Sequence, residues 1–270
     1  MDIGATVGEI CPMPFTLAHP AAVLPLLRHP FSTVALVAGA VAPDLPYFAR
    51  RTPIPVTAQS WYEPFMNATT SHGLVGALTV SLPYALALCG LVWVARRPVA
   101  ELVRRPAGSK DGSRGGPGDR GVVARLGWVV LSALVGVATH LVWDSFTHGD
   151  GYVVTHVPAL SEPVAGALTW ARALQHASTV VGLLLVAWYL WRRRAGLGPV
   201  RRRALWWGGG VVVAGAVVGT LDLWADTGLT TGETVEAALA GAATGAGAAL
   251  LVALVVYLAA WWVVRWVVTA

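Results

Sequence analysis

The sequence predicts an all-α fold, a polytopic membrane helical bundle. About five spanning helices are expected, with an N-terminal short-helix hairpin and one long disordered cytoplasmic loop. Three observations lead there. Of the 270 residues, 56% are hydrophobic and only 12% are charged, about half the charge of a soluble domain. The apolar residues come in runs of about 18 or more, the length a helix needs to cross a bilayer. Finally, the Lys and Arg residues fall into alternate connecting segments, as the positive-inside rule requires.

Residues 1–12 read as an N-terminal extension without the basic and apolar regions of a signal peptide. Residues 14–43 are apolar but broken by Pro20, Pro25, Arg28, His29 and Pro30. The two pieces, 15–28 and 31–43, are too short to span, since a crossing takes about 20 residues. They are expected to dip in and return as a hairpin. Residues 45–71 are rich in Pro and aromatics and are expected to form a loop. Five spans follow at about 73–95, 122–146, 167–191, 204–225 and 238–264. Segment 96–121 contains Ser109-Lys-Asp-Gly-Ser-Arg-Gly-Gly-Pro-Gly-Asp119, which offers almost nothing to bury. Small residues dominate the last two spans and suit close helix packing. Three units are expected: the extension 1–12, a metal-site membrane domain 13–195, and a C-terminal helix pair 196–270 of the same bundle. Cys11 and Cys89 fit no metal spacing and are not expected to pair.

Eight Lys and Arg lie in 96–125 and six in 192–203, and Arg265 follows the last span. Loops 147–166 and 226–237 hold none, and 45–71 holds Arg50 and Arg51. This places 96–121, 192–203 and the C-terminus in the cytoplasm of a multi-pass protein of a bacterial cytoplasmic membrane. Trp and Tyr cluster beside the cytoplasmic ends, at Trp188, Tyr189, Trp191, Trp206, Trp207, Trp261, Trp262 and Trp266. The net charge of +5 is thus a topology signal, and no nucleic-acid partner is expected.

The same topology brings chemistry together. His140, Asp144 and His148 follow one another at i, i+4 and i+8 and share a helical stripe. Ionisable groups at a span are costly and mark functional sites by default. The bland alternative is that they simply pair with each other. However, His72 lies at the outer start of the first span, and His19 and Asp44 lie at the mouth of an outward-opening hairpin. All six converge on one membrane face. His19, Asp44, His72, His140, Asp144 and His148 are therefore the candidate metal ligands. Histidine with carboxylate suits zinc, with manganese or iron as alternatives. Six donors exceed the needs of one zinc, and two ions bridged by a carboxylate would use them. Asp44, Asp144 and His148 are the candidate catalytic groups. Ser71, Gln175 and His176 are candidates to support the ligands or meet a substrate. Asp222 is either a packing polar group or a further member.

The segments Met13-Pro-Phe-Thr-Leu-Ala-His-Pro-Ala-Ala22, Ala42-Pro-Asp44, Ser71-His-Gly73, His140-Leu-Val-Trp-Asp-Ser-Phe-Thr-His148 and Gln175-His-Ala-Ser178 resemble an uncharacterised bacterial membrane family. That family is known as domain of unknown function 4184, and the resemblance covers roughly 13–195. A more distant similarity runs to membrane-bound metal-dependent hydrolases and to zinc-dependent phospholipase C. Their shared order of His, Asp, His and His-x-x-x-Asp implies His19, Asp44, His72, and His140 with Asp144. The later His-x-x-x-Glu of the phospholipases is absent here. The expected activity is hydrolysis of a phosphoester in a membrane lipid or lipid-linked substrate. The rivals are an ion-binding transporter and a scaffold with a structural metal.

Overall fold

The computed structural model describes residues 16–52, 54–57, 59–102, 121–166, 168–194, 199–221 and 230–269. The extension 1–12, Cys11, Met13, the Ser109–Asp119 stretch and Asp222 lie outside the described residues. The fold is mostly helical. Helices α1 (Pro20–Val23), α2 (Thr33–Val41) and α3 (Leu45–Ala49) come first. Then follow α4 (Glu63–Met66), α5 (Ala68–His72) and α6 (Leu74–Gly76). A π turn, Ala77–Ser81, carries α6 into α7 (Leu82–Leu102). The remainder is α8 (Val122–Thr147), α9 (Tyr152–His156), α10 (Trp170–Arg193), α11 (Arg202–Thr220) and α12 (Thr231–Thr269). A small antiparallel pair, β1 (Pro163–Ala165) with β2 (Leu168–Thr169), precedes α10. Gly166 makes its turn at φ 55°, a conformation costly for residues with a Cβ.

Among the described residues, four helices are long and apolar enough to cross a membrane: Leu74–Leu102, Val122–Thr147, Trp170–Arg193 and Thr234–Thr269. The fifth expected span, 204–225, corresponds to α11, which is described to Leu221. Two other expectations differ in detail. Segment 45–71 contains three short helices rather than one loop. Residues 96–102 remain helical despite Pro98, because α12 supports them. Tyr257 donates to the Pro98 carbonyl at 3.0 Å, and Trp261 donates to Glu101 at 2.8 Å.

The core is built around α2, which packs against α8 and α7. Ala35, Leu36, Ala38 and Ala40 are buried there. A Cβ on Gly39 would overlap the Ala133 carbonyl, and one on Gly136 would lie 2.8 Å from the Ala40 nitrogen. The two backbones are therefore nearly in contact. Ser32 caps α2 by accepting from Ala35, and its own N–H donates to Ser132 at 2.9 Å. α11 and α12 approach just as closely, with Gly215 and Gly219 against Gly241 and Gly245.

The basic ends of the bundle meet. Arg201 donates its N–H to the Leu102 carbonyl at 2.8 Å, and Arg265 lies 3.7 Å from Glu101. Here Arg96, Arg192, Arg193, Arg194 and Arg265 each stack on an aromatic ring within the preceding turn. His140 and Asp144 lie towards the opposite end of α8, and His72 ends α5, just before the apolar stretch Leu74–Leu102 begins.

Candidate metal centre

Four segments deliver the site. The turn Ala42–Asp44 ends α2, with Pro43 setting its backbone, and it places Asp44 at the start of α3. The Asp44 side chain makes no capping bond there, although Asp is a favoured cap. It turns inward to the histidines instead. Likewise His19 stands at the cap position of α1 without capping it. α5 ends on His72. α8 presents Gly136, His140, Asp144 and Thr147 along one buried stripe.

His72, His140, Asp44 and Asp144 form a group able to hold a metal ion, with donor atoms all within 4.8 Å of one another. His140 Nε2 lies 3.0 Å from Asp144 Oδ2 and 3.5 Å from Asp44 Oδ1. His72 Nε2 lies 3.3 Å from Asp144 Oδ2 and 3.5 Å from Asp44 Oδ1. The two Nε2 atoms are 3.2 Å apart. Four tetrahedral donors bound at zinc-like lengths would be separated by about 3.4 Å. The five separations above, 3.0–3.5 Å, lie close to that edge.

Backbone carbonyls decide which histidine nitrogens face inward as lone pairs. His140 Nδ1 lies 2.8 Å from the Ala40 carbonyl, and His72 Nδ1 lies 2.8 Å from the Ala68 carbonyl. A carbonyl only accepts, so each Nδ1 carries the proton and donates. Nε2 of both rings is then the ligand atom, and the carbonyls are the usual outer partners of metal-bound histidine. The Ala40 carbonyl is available because it lies in the last turn of α2. Ser71, fully buried, donates to the Pro43 carbonyl at 2.6 Å and ties α5 to the Asp44 turn.

Two carboxylates and two ring lone pairs thus converge on one point, and Asp44 and His140 are almost wholly buried. A divalent cation would neutralise the carboxylates. Protons are the substitute. For His72, burial alone would lower the pKa, but its bonds to Asp144 and Asp44 outweigh this and raise it to about 9. For Asp44, burial alone would raise the pKa. His140, His72 and His19 outweigh it and hold the carboxyl far below the usual range.

His19 and His148 sit on the other side of the carboxylates. His19 Nε2 is 3.0 Å from Asp144 Oδ1, and His148 Nδ1 is 3.4 Å from the same oxygen. His19 also stacks on His140 at 3.9 Å between centroids. His19 Nδ1, Asp44 Oδ2 and His148 Nδ1 are buried without a hydrogen-bond partner. Orphaned buried atoms of this kind are costly unless something occupies the space between them.

Other candidates fall elsewhere. His176 is half exposed and lies 3.7 Å from Glu236 of α12. Gln175 is buried beside it, on the wall of a cleft between α10 and α12. The reading of the sequence passed over the Arg172–Glu236 ion pair. Its signal was a lone base, Arg172, at the start of one apolar run and the acids Glu233 and Glu236 at the start of another. His29 and His156 are exposed.

Comparison with curated proteins and with solved structures found no match. A family model described as domain of unknown function DUF4184 matches residues 13–259, running past the motifs into the last two helices. The chain belongs to that family.

Proposed function

We propose that the protein is a membrane-embedded, metal-dependent hydrolase acting on a phosphoester of a lipid or lipid-linked substrate. The observation that carries this is the convergence of His72 Nε2, His140 Nε2, Asp44 Oδ1 and Asp144 Oδ2, at spacings a zinc-like ion would span. Zinc fits the donor set, and manganese or iron are the alternatives. A bound ion would supply a water of lowered pKa and stabilise charge developing on phosphoryl oxygens.

The protein's own residues do the rest. Asp44 and Asp144 each direct one oxygen to the His72–His140 side and the other to the His19–His148 side. With that division, Asp44, Asp144, His19 and His148 would be the residues available to hold a second cation. His148, partly exposed and 3.4 Å from Asp144, joins Asp44 and Asp144 as a proposed catalytic group. His72 is the most exposed of the four ligands, at 24% of its side chain, so substrate would approach past it and Tyr47. Five spans, an N-terminal hairpin, cytoplasmic basic loops and an outward-facing site in a bacterial cytoplasmic membrane complete the reading.

One observation favours a second reading. Four protein donors at tetrahedral spacing resemble a closed structural site, whereas a catalytic zinc commonly keeps an open position. In that case the ion would staple α2, α5 and α8. Elemental mass spectrometry on detergent-purified protein, beside Asp44→Asn and a His140→Ala/Asp144→Ala variant, tests the site. Near-stoichiometric metal lost in both variants is expected. Well-folded protein that takes up no metal would end both readings. Turnover of phospholipid or lipid-diphosphate substrates by the loaded protein then separates hydrolase from staple.

A further inference from the structure

We infer that the cleft between α10 and α12 holds one hydrocarbon chain of a membrane lipid, with the polar head at its Gln175–His176–Glu236 end. The cleft has a volume of about 620 Å³. Its body is apolar, lined by Leu17, Val180, Leu183, Leu239 and Leu250. Thr244, the polar residue midway, donates to the Ala240 carbonyl at 2.8 Å and accepts from Arg51 at 3.1 Å. Among the lining residues the ionisable ones, His176 and Glu236, lie at one end, where Arg172 pairs with Glu236.

The gap exists because α12 has two small-residue faces. Gly241 and Gly245 press against α11. Ala240 and Ala243 lie on another face, and their short side chains leave the space towards α10 open, while the Phe48 ring packs against Gly247. From Glu236 to Leu250 the cleft follows α12 for about 21 Å at 1.5 Å per residue, most of a hydrocarbon core of about 30 Å. The volume of about 620 Å³ along that length is ample for one extended hydrocarbon chain. A single hydrocarbon chain fits, and a helix from a second copy is the competing occupant that the test below separates from it. The cleft is also continuous with the membrane-facing surface, since Val180, Leu239 and Leu250 remain 58%, 55% and 43% exposed. Bilayer chains are what surrounds it.

The cleft adjoins the metal centre. Leu17 on its wall is two residues from His19, at most about 7 Å of chain. Ala18 between them packs so tightly on α10 that a Cβ on Gly182 would sit 2.9 Å from it. As a substrate-chain site the cleft rests on the proposed hydrolase, but chain binding itself does not.

The test uses full-length protein in phosphatidylethanolamine and phosphatidylglycerol vesicles. The probe is a phosphatidylglycerol carrying a photoactivatable diazirine at the end of one acyl chain. Labelling mapped by peptide mass spectrometry should concentrate on the cleft-facing residues of α10 and α12. It should fall to the level of other membrane-facing surfaces in Ala243→Phe and in the milder Ala240→Leu, and remain unchanged in Val256→Phe, on the outer surface. Asp144→Asn should lose metal yet keep the labelling, which separates failure of the hydrolase reading from failure of this one. Uniform labelling of all apolar faces, indifferent to both cleft variants, would overturn the proposal. So would a crosslink to a second protein chain formed from a photoactivatable amino acid introduced at Ala243.

Discussion

His72 and His140 each spend one nitrogen on a backbone carbonyl and point the other at two carboxylates. Without an ion, that arrangement is satisfied by protons, and His72 is held protonated up to about pH 9. Metal uptake should therefore release protons at pH 7. Calorimetry in two buffers of different ionisation enthalpy would detect the release, and equal apparent enthalpies in both would refute it. The sign for stability follows. The folded pKa lies above the unfolded 6.5, so this contribution is complete below 6.5 and lost as pH rises through about 9. Chelator-treated protein should accordingly melt at lower temperature as the pH is raised across that window. Ser71→Ala should cost about 1–3 kcal/mol by leaving the buried Pro43 carbonyl without its donor. Thermal unfolding in detergent would measure the loss, together with weakened metal retention as the Asp44 turn loosens.

At the scale of elements, α2 and α8 are the frame. Their glycine contact brings the Ala40 carbonyl to His140, so packing and ligand orientation are one event. Gly136→Val should force the helices apart, at about 1–3 kcal/mol for an overpacked contact, and lower metal occupancy. Gly127→Ala on the same helix, where a Cβ meets nothing within 4 Å, should be silent in both. Elemental analysis of the two purified variants decides it; equal occupancy would mean that the helix contact does not control the ligands.

At the scale of the whole molecule, the Arg-bearing ends of α7, α11 and α12 meet at one end of the bundle and the His and Asp cluster lies at the other. If the basic end is cytoplasmic, Ser161→Cys should react with a membrane-impermeant thiol reagent in intact cells. Ser113→Cys should react only after lysis, each in a background lacking Cys11 and Cys89. The reverse pattern would invert the assignment of faces. Deleting residues 106–119, whose composition can bury almost nothing, should leave metal occupancy unchanged.

The helical membrane architecture was legible in the chain because long apolar runs and segregated arginines are local properties, imposed residue by residue by the bilayer. The pairing of His140 with Asp144 was equally legible, since a spacing of four residues on a helix leaves little choice of direction. That His72 and Asp44 join them was anticipated from topology, but distances were not, because they depend on how closely α2 meets α8. The short helices within 45–71 escaped the reading because they are held by contacts distant in sequence, such as Ser71 with Pro43. Only the tertiary structure decided which nitrogen of each histidine faces inward, how the two carboxylates divide their oxygens, and that the small residues of α12 leave a cleft as well as a packed face. Those outcomes arise where separate segments meet, and no single segment encodes them.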